Sequence, residues 1–251
     1  MLYATGDTHG VWIRLNTDNF LEQKDMTRND YVLILGDFGL FDDNRQERYW
    51  LDWLDAKPWT TIWTEGNHDN MDRLDAFPVT EDWHGGKVHK IRDNVIHLIR
   101  GNIYDLDGRK VYVFGGARSH DISDGILDPS DPDYRKKKRD MEDRGAWYYR
   151  THHKDWWARE MPSEAEMAEG SANLERYYWN VDYILSHCPP TRILQEMDAG
   201  RGIYQPDYLT DYLQQISDRC RYNTWLFGHM HQNKKIDDKH FCLYEQIVKV
   251  W

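Results

Sequence analysis

Five short blocks of the 251-residue sequence combine Gly or Ser with Asp, His or Asn side chains that can bind metal ions or transfer protons. Each block directly follows a short run that predicts a β-strand. Loops at the carboxyl ends of strands line the ligand crevice of open α/β sheets, so all five blocks could converge on one site. The blocks are Gly6–Gly10 (GDTHG), Gly36–Gly39 (GDFG), Gly66–Asp69 (GNHD), Ser186–Cys188 (SHC) and Gly228–His231 (GHMH).

The side chains in these blocks form a coherent set of oxygen and nitrogen ligands without a thiolate. Such a set suits Mn, Fe, Zn or related ions. A hydrolytic site with two metals holds its ions about 3.5–4 Å apart, and one carboxylate can bridge them. The candidate metal ligands are Asp7, His9, Asp37, Asn67, His187, His229 and His231.

The elements that must position these blocks alternate between strand and helix in the first third of the chain. This alternation predicts βαβ units and a largely parallel sheet. We expect two packed sheets flanked by helices. The predicted strands are Leu2–Thr5, Tyr31–Leu35, Thr60–Thr64, Val95–Ile99, Ile103–Leu106, Lys110–Phe114, Val181–Ser186, Thr224–Phe227 and Phe241–Val250, and the predicted helices include Asn44–Ala56, Pro206–Asp218 and one that begins near Ser163 with a capping box to Glu166.

The periodic pattern breaks between residues 119 and 162, where the sequence is charged, turn-rich and then aromatic. We expect one domain over residues 1–251, with residues 119–162 as an insert that forms a lid or wall beside the site and sets substrate choice. The aromatic residues of the insert either shape a substrate pocket or pack the insert onto the core. They are Tyr148, Tyr149, Trp156 and Trp157.

Composition narrows the function classes. The net charge of −11 disfavours binding to long nucleic acid, and acidic stretches flank the basic run Arg135–Arg139, which indicates a solvated charged loop. The three cysteines form no CxxC pair, which argues against a disulfide framework and a thiolate zinc site. No apolar run is long enough to span a membrane, and the first residues show no signal-peptide pattern. We therefore expect a cytoplasmic protein that does not bind membranes.

In order and spacing, the five blocks resemble the signature of the calcineurin-like metallophosphoesterase superfamily. That signature runs D-x-H, G-D, G-N-H-[DE], a lone H and G-H-x-H. A lone histidine is more often structural than a ligand, but five blocks in family order, spread from Asp7 to His231, are specific. The resemblance implies an α/β fold built as a four-layer α/β/β/α sandwich, with two mixed β-sheets flanked by helices.

The resemblance also implies roles for the site residues. His68 would be the catalytic histidine near the leaving group, and Asp69 would orient it. The family reaction is phosphate ester hydrolysis by a hydroxide that bridges two metal ions. The first metal would be bound by Asp7, His9 and His231, the second by Asn67, His187 and His229, and Asp37 would bridge the two.

The substrate is less defined. The second block reads GDFGLFD, with Leu40 where protein phosphatases often have Asp, which disfavours a phosphoprotein substrate. We expect a small phosphorylated substrate, a monoester or a diester, with Arg118 and His120 as candidate contacts after a Gly-Gly turn. The alternatives are a nuclease of the same superfamily, a non-catalytic metal-binding scaffold or interaction protein, and a metal-free hydrolase. No G-x-S-x-G nucleophile pattern supports the last of these. The oligomeric state stays open.

Overall fold

A computed structural model describes residues 1–251 as an α/β protein with two large mixed β-sheets. The strands are β1 (Leu2–Thr5), β2 (Tyr31–Leu35), β3 (Thr60–Thr64), β4 (Val79–Trp83), β5 (Gly86–Arg92), β6 (Val95–Leu98), β7 (Ile103–Leu106), β8 (Arg109–Phe114), β9 (Gly125–Leu127), β10 (Tyr149–Thr151), β11 (Tyr183–Ser186), β12 (Thr224–Phe227), β13 (Lys234–Lys235), β14 (His240–Cys242) and β15 (Val248–Lys249). The α-helices are α1 (Arg45–Asp55), α2 (Met71–Ala76), α3 (Tyr134–Asp143), α4 (Glu164–Arg176), α5 (Thr191–Asp198) and α6 (Tyr208–Arg219). Three 3₁₀ helices span Trp12–Leu15, Leu21–Asp25 and Ala158–Glu160.

The first sheet has seven strands in the order β15-β1-β2-β3-β6-β5-β4. Its central strands β1, β2, β3 and β6 are parallel, and the outer strands β15, β5 and β4 pair antiparallel with their neighbours. Because β1, β2 and β3 run in one direction, the loops that follow them emerge at the same edge. These loops contain the first three blocks.

The second sheet has six strands in the order β13-β14-β12-β11-β8-β7. Strands β8, β11, β12 and β14 are parallel, whereas β7 and β13 are antiparallel to their neighbours. The loops after β11 and β12 contain the two remaining blocks. Strands β9 and β10 form a separate two-stranded parallel sheet.

Three apolar cores separate four layers of secondary structure. Between the two sheets, Leu33 of β2 belongs to the same buried cluster as Val113 of β8 and Leu185 of β11. The outer face of the first sheet packs against helices α1 and α2, and that of the second sheet packs against α4, α5 and α6. The expected α/β/β/α sandwich of two mixed sheets flanked by helices is confirmed.

Most predicted elements are present with ends shifted by a few residues. Helix α1 begins after Asn44, whose side chain accepts a hydrogen bond from the Glu47 backbone, and α4 begins with the expected capping box between Ser163 and Glu166. The largely parallel first sheet is confirmed only for its centre, because the hairpin of β4 and β5 was not predicted.

The predicted strand Phe241–Val250 is wrong. The structure divides it into β14, which pairs with β12 in the second sheet, and β15, which pairs with β1 in the first. Both halves are strand-like in sequence, but residues 243–247 cross from one sheet to the other. The crossing segment is fixed by contacts to the other end of the chain, since Gly6 donates its backbone N–H to the Tyr244 carbonyl at 2.9 Å.

The segment 119–162 holds β9, α3, β10 and one of the 3₁₀ helices. Its ends are buried, with Ser119 3% and Glu160 1% exposed, whereas α3 has no buried residue. The three cysteines are free and buried. None of the helices combines the length and the apolar character that crossing a membrane requires.

Candidate metal centre

All five blocks lie on loops at the carboxyl ends of β1, β2, β3, β11 and β12, and the glycines among them allow close packing. A Cβ on Gly36 would lie 2.1 Å from His187 Nδ1, and the backbone φ of Gly36 is +86°. A Cβ on Gly66 would lie 2.1 Å from Asp37 Oδ1. Side chains at either position would therefore push apart loops that bring ligands from different strands together.

The backbone at four candidate ligands adopts the left-handed conformation. The φ angles are 45° at His9, 46° at Asp37, 64° at His229 and 48° at His231. This region costs a non-Gly residue free energy and persists only where the surroundings impose it. Its occurrence at four candidate ligands shows that the surrounding loops hold these residues in a strained backbone conformation.

The first group of ligands converges on one point. The Nε2 atoms of His9 and His231 lie 3.1 Å apart, and His231 Nε2 lies 3.0 Å from Asp7 Oδ2. Asp7 Oδ2 is buried and makes no hydrogen bond of acceptable geometry. One ligand atom each from Asp7, His9, Asp37 and His231 lies within 4.8 Å of the others.

This arrangement fits a divalent metal ion. An imidazole nitrogen that lies 3.1 Å from a second imidazole nitrogen and 3.0 Å from a carboxylate oxygen is poorly satisfied by hydrogen bonds alone, since each of these atoms can act as an electron-pair donor to a cation. The orphaned Asp7 Oδ2 indicates the same, because a buried carboxylate oxygen requires a partner.

The second group lies next to the first and shares Asp37 with it. His187 Nε2 lies 3.4 Å from Asp37 Oδ2 and 3.3 Å from Asn67 Oδ1. The other ring nitrogen, Nδ1, lies 2.7 Å from the Leu35 carbonyl, so Nδ1 is the protonated donor and Nε2 faces the site. The ring of His229 lies 5.0 Å from that of His187, centroid to centroid.

Charge interactions in the site are strong because its groups are buried. Burial alone would raise the pKa of Asp37, but His187, His68 and His9 hold that pKa well below its usual range. Burial alone would lower the pKa of His187, but Asp37 raises it to about 10. The pKa of His229 is well below the ordinary value because of burial and the neighbouring His187.

His68 lies at the edge of the metal ligands. Its backbone N–H donates to Asp37 Oδ1 at 2.8 Å, and its ring lies 5.4 Å from the His9 ring. The side chain is half-buried, which leaves the ring accessible from the crevice. This position is compatible with proton transfer to a group bound at the metals.

Asp69 connects two of the loops. Its carboxylate accepts hydrogen bonds from the backbone N–H groups of Gly66 at 2.9 Å and Gly39 at 2.8 Å. Longer hydrogen bonds come from the residues on either side of Gly39. Burial and the nearby Asp37 carboxylate raise the pKa of Asp69 to about 7, although the N–H donors oppose this shift. The hydrogen bonds of Asp69 go to backbone groups, and its expected orientation of the His68 ring stays a prediction.

The sequence comparison agrees with this geometry. A family model described as calcineurin-like phosphoesterase matches residues 2–233. The chain belongs to the calcineurin-like phosphoesterase family. A comparison with curated proteins found no significant match.

Family membership gives the general chemistry, which is metal-dependent hydrolysis of phosphoesters. In calcineurin-like phosphoesterases the activity requires divalent metal ions, and the group of Asp7, His9, Asp37 and His231 is a candidate site for them.

Two further residues contact the candidate ligand Asn67 directly or through one another, and sequence reasoning missed both. Asn67 Nδ2 lies 3.4 Å from Ser119 Oγ, and Ser119 donates its hydroxyl to Glu160 Oε2 at 2.6 Å. Glu160 Oε1 also accepts the Ser119 backbone N–H at 2.9 Å. Burial raises the pKa of Glu160 to about 7. No local pattern marks this pair, because the two residues are 41 positions apart and meet only in the fold.

Arg14 holds the first loop against the crossing segment near the C-terminus. It donates to the Asp7 carbonyl at 2.9 Å, to Thr5 Oγ1 at 3.0 Å and to the Tyr244 carbonyl at 2.5 Å. The Tyr244 ring in turn stacks on His231 at 4.6 Å and 16°. Arg14 was also missed, since a lone arginine in a short helix gives no sequence signal.

A cavity of about 310 Å³ adjoins the metal centre through His229. The two residues proposed as substrate contacts, Arg118 and His120, both line it, and both are exposed. Of the insert's remaining residues, only Ser119, Ile122 and Ser123 contribute to this cavity.

The aromatic residues of the insert lie elsewhere. Trp157 is 4% exposed, belongs to the core beside the first sheet and donates to Asp72 at 2.8 Å. Tyr148 is exposed, and neither Tyr149 nor Trp156 lines the cavity beside His229. The insert is therefore attached to the core mainly by its two ends.

Proposed function

We propose that the chain hydrolyses phosphate esters of small molecules with two metal ions, for which the ligand chemistry suits Mn, Fe or Zn. The observation that supports this best is the position of His231 Nε2, which lies 3.1 Å from His9 Nε2 and 3.0 Å from Asp7 Oδ2. Oxygen and nitrogen ligands of this kind suit first-row transition ions.

Asp37 supports a second ion beside the first. Its Oδ2 atom lies 3.8 Å from His9 Nε2 and 3.4 Å from His187 Nε2, so one carboxylate contacts both ligand groups. A carboxylate in that position can serve two ions at once. The second ion would be held by Asn67, His187 and His229.

The bound metals would lower the pKa of water and neutralise charge on the phosphoryl group. The protein would hold the metal ligands in position and supply a proton to the leaving group. His68, half-buried beside His9, would give a proton to the leaving oxygen. Arg118 and His120 would contact the substrate from the cavity side.

A small substrate is favoured over a macromolecular one. The cavity beside His229, about 310 Å³, is at the lower end of the roughly 300–1,000 Å³ range of small-molecule pockets. The net charge of −11 disfavours a polyanion such as nucleic acid. In the basic helix α3, Lys137 pairs with Asp131 and Lys138 with Glu142, which weakens that helix as a nucleic-acid surface. The cytoplasmic location stays a prediction.

The test is metal analysis of the purified protein, followed by a screen of phosphate esters. We expect close to two metal ions per chain and hydrolysis of at least one among p-nitrophenyl phosphate, bis-p-nitrophenyl phosphate and cyclic nucleotides. A fully metal-loaded protein that hydrolyses none of them, and no other small phosphate ester, would contradict the proposal.

A further inference from the structure

We propose that the cavity beside His229 binds a ring-bearing leaving group of nucleoside size, and that Tyr204 is the residue that selects it. The proposal rests on the function proposed above, because it assigns the organic part of the ester to this cavity. It also places the main determinant of specificity on the loop between α5 and α6.

Three aromatic rings define the side of the cavity that faces the metals. The Tyr204 ring lies 4.8 Å from the His120 ring and 5.2 Å from the His229 ring, centroid to centroid. The His120 and His229 rings are 6.0 Å apart. A planar group that enters beside His229 would therefore enter a space bordered by aromatic rings, with which flat groups pair favourably.

Tyr204 is held in place by a buried carboxylate. Asp198, 5% exposed at the end of α5, accepts the backbone N–H groups of Gly202, Ile203 and Tyr204 at 2.7, 3.0 and 3.0 Å. The chain enters this loop through Ala199 in the left-handed conformation, with φ of 51°. A loop fixed by three N–H bonds to one side chain presents Tyr204 in a defined position, which lowers the entropic cost of binding.

Polar groups around the rings can form hydrogen bonds with the edge of a heterocycle. The exposed Arg118 offers guanidinium donors. Asp207 lines the same cavity and uses Oδ1 to cap α6, accepting from Leu209 and Thr210 at 2.9 and 3.0 Å. A cavity with rings, donors and acceptors suits a nucleobase, which has both a flat ring to pair with the aromatic side chains and polar atoms at its edge, whereas a glycerol group has no ring.

Leu194 and Cys188 are two of the apolar residues in the lining. Both are almost completely buried, at 2% exposure each. A cavity with a buried apolar floor accommodates a compact group and does not suit an extended peptide. A phosphopeptide is therefore the less suitable occupant.

The direct test is binding of adenosine, with ribose as the ring-free comparison, to the purified full-length protein by ligand-observed NMR or calorimetry. We expect adenosine to bind and ribose to bind at least about tenfold more weakly. Tyr204→Ala should weaken adenosine binding about tenfold, and Tyr204→Phe, which keeps the ring, should retain it. Tyr49→Ala removes an exposed tyrosine of α1 outside the cavity and should also retain it.

If Tyr204→Ala does not fold, Tyr204→Leu keeps the bulk without a flat ring and should show the same loss. Adenosine binding no tighter than ribose binding, or unchanged in a folded Tyr204→Ala or Tyr204→Leu protein, would overturn the proposal. Binding does not depend on turnover. Hydrolysis without adenosine binding would therefore refute this inference alone, whereas adenosine binding without any phosphoesterase activity would refute the proposed function alone.

Discussion

The side-chain amide of Asn67 is directed at the Ser119 hydroxyl, with a nitrogen-to-oxygen distance of 3.4 Å. Ser119 donates its own proton to Glu160, so its oxygen is free to accept from the Asn67 amide. This contact turns Asn67 Oδ1 towards His187 Nε2, at 3.3 Å, where a metal ligand must point. The insert's two ends thereby fix a residue of the metal centre.

Ser119→Ala should weaken binding of the second metal, because groups that orient a ligand typically change metal affinity about 10–100-fold. Metal titration by calorimetry should show one weakened site and one near-normal site. Ser130→Ala, in an exposed turn of the same insert, is the matched control. Two unchanged sites in Ser119→Ala would show that Asn67 is oriented without this hydroxyl.

Asp37→Asn should weaken both metal sites, since its Oδ2 faces ligands from each group. The change removes a buried charge and one strong ligand while keeping the side-chain shape. Metal stoichiometry after reconstitution is the measurement, with the exposed Asp42→Asn as control. Normal stoichiometry in Asp37→Asn, or one metal or none in well-reconstituted wild type, would exclude a bridging carboxylate.

His68→Ala should lower kcat by about 10²–10⁴ while metal content stays near that of the wild type. The reason is that His68 lies beside the ligands and its ring is free to transfer a proton. Single-substrate kinetics combined with metal analysis separates the two effects. His84→Ala, an exposed histidine in the hairpin between β4 and β5, should retain full activity. Wild-type rates in His68→Ala on every substrate would remove it from the mechanism.

His89 makes the stability of the fold sensitive to acid. Its Nδ1 lies 3.2 Å from His97 Nδ1 on the adjacent strand, and burial together with His97 lowers the pKa of His89 to about 4. Between the ordinary pKa of 6.5 and this value, the unfolded chain binds a proton that the folded chain does not. The folded state therefore loses stability as pH falls from about 6.5 to about 4, by at most about 3 kcal/mol.

Urea unfolding at pH 7.5 and at pH 5 measures this effect. The pH-dependent loss should be smaller in His89→Leu than in the wild type, even if the variant is less stable at both pH values. An equal loss in the two proteins would show that other groups account for the acid sensitivity.

Helix α3 should be dispensable for catalysis. It has no buried residue, whereas Ser119, Trp157 and Glu160 hold the ends of the insert to the core. Replacement of residues 132–146 with a short Gly-Ser linker should leave metal content and relative rates on bulky and compact substrates unchanged. A changed ratio of those rates would instead support the expectation that the insert of residues 119–162 sets substrate choice through this helix.

The part of the site that could be predicted from sequence is the part with local signatures. One residue separates Asp7 from His9, and one residue separates His229 from His231. Each pair follows a strand that can be predicted from the sequence of that strand alone. Ser119 and Glu160 have no such signature, because they come into contact only when the two ends of the insert meet in the folded chain. Tyr204 depends on Asp198 and on a loop that lies between two helices, where hydrophobic periodicity gives no information.

In the sheets, too, some strands can be predicted from local sequence and others cannot. The buried runs of β1, β2 and β3 specify strands by themselves, but the exposed residues of β4 do not, and its strand forms through pairing with β5. In the segment 241–250, strand-like residues could not reveal that the two halves join different sheets.

Asp7 and His231 are separated by more than two hundred residues in sequence and by 3.0 Å in space. During synthesis on the ribosome, a chain that has already formed β1, β2 and β3 still lacks this ligand. The nascent protein therefore exposes a cluster of carboxylates and imidazoles that cannot close until residue 231 of 251 has emerged. Completion of this ligand group thus requires the synthesis of residue 231, and a chain that stops before it would lack the full group.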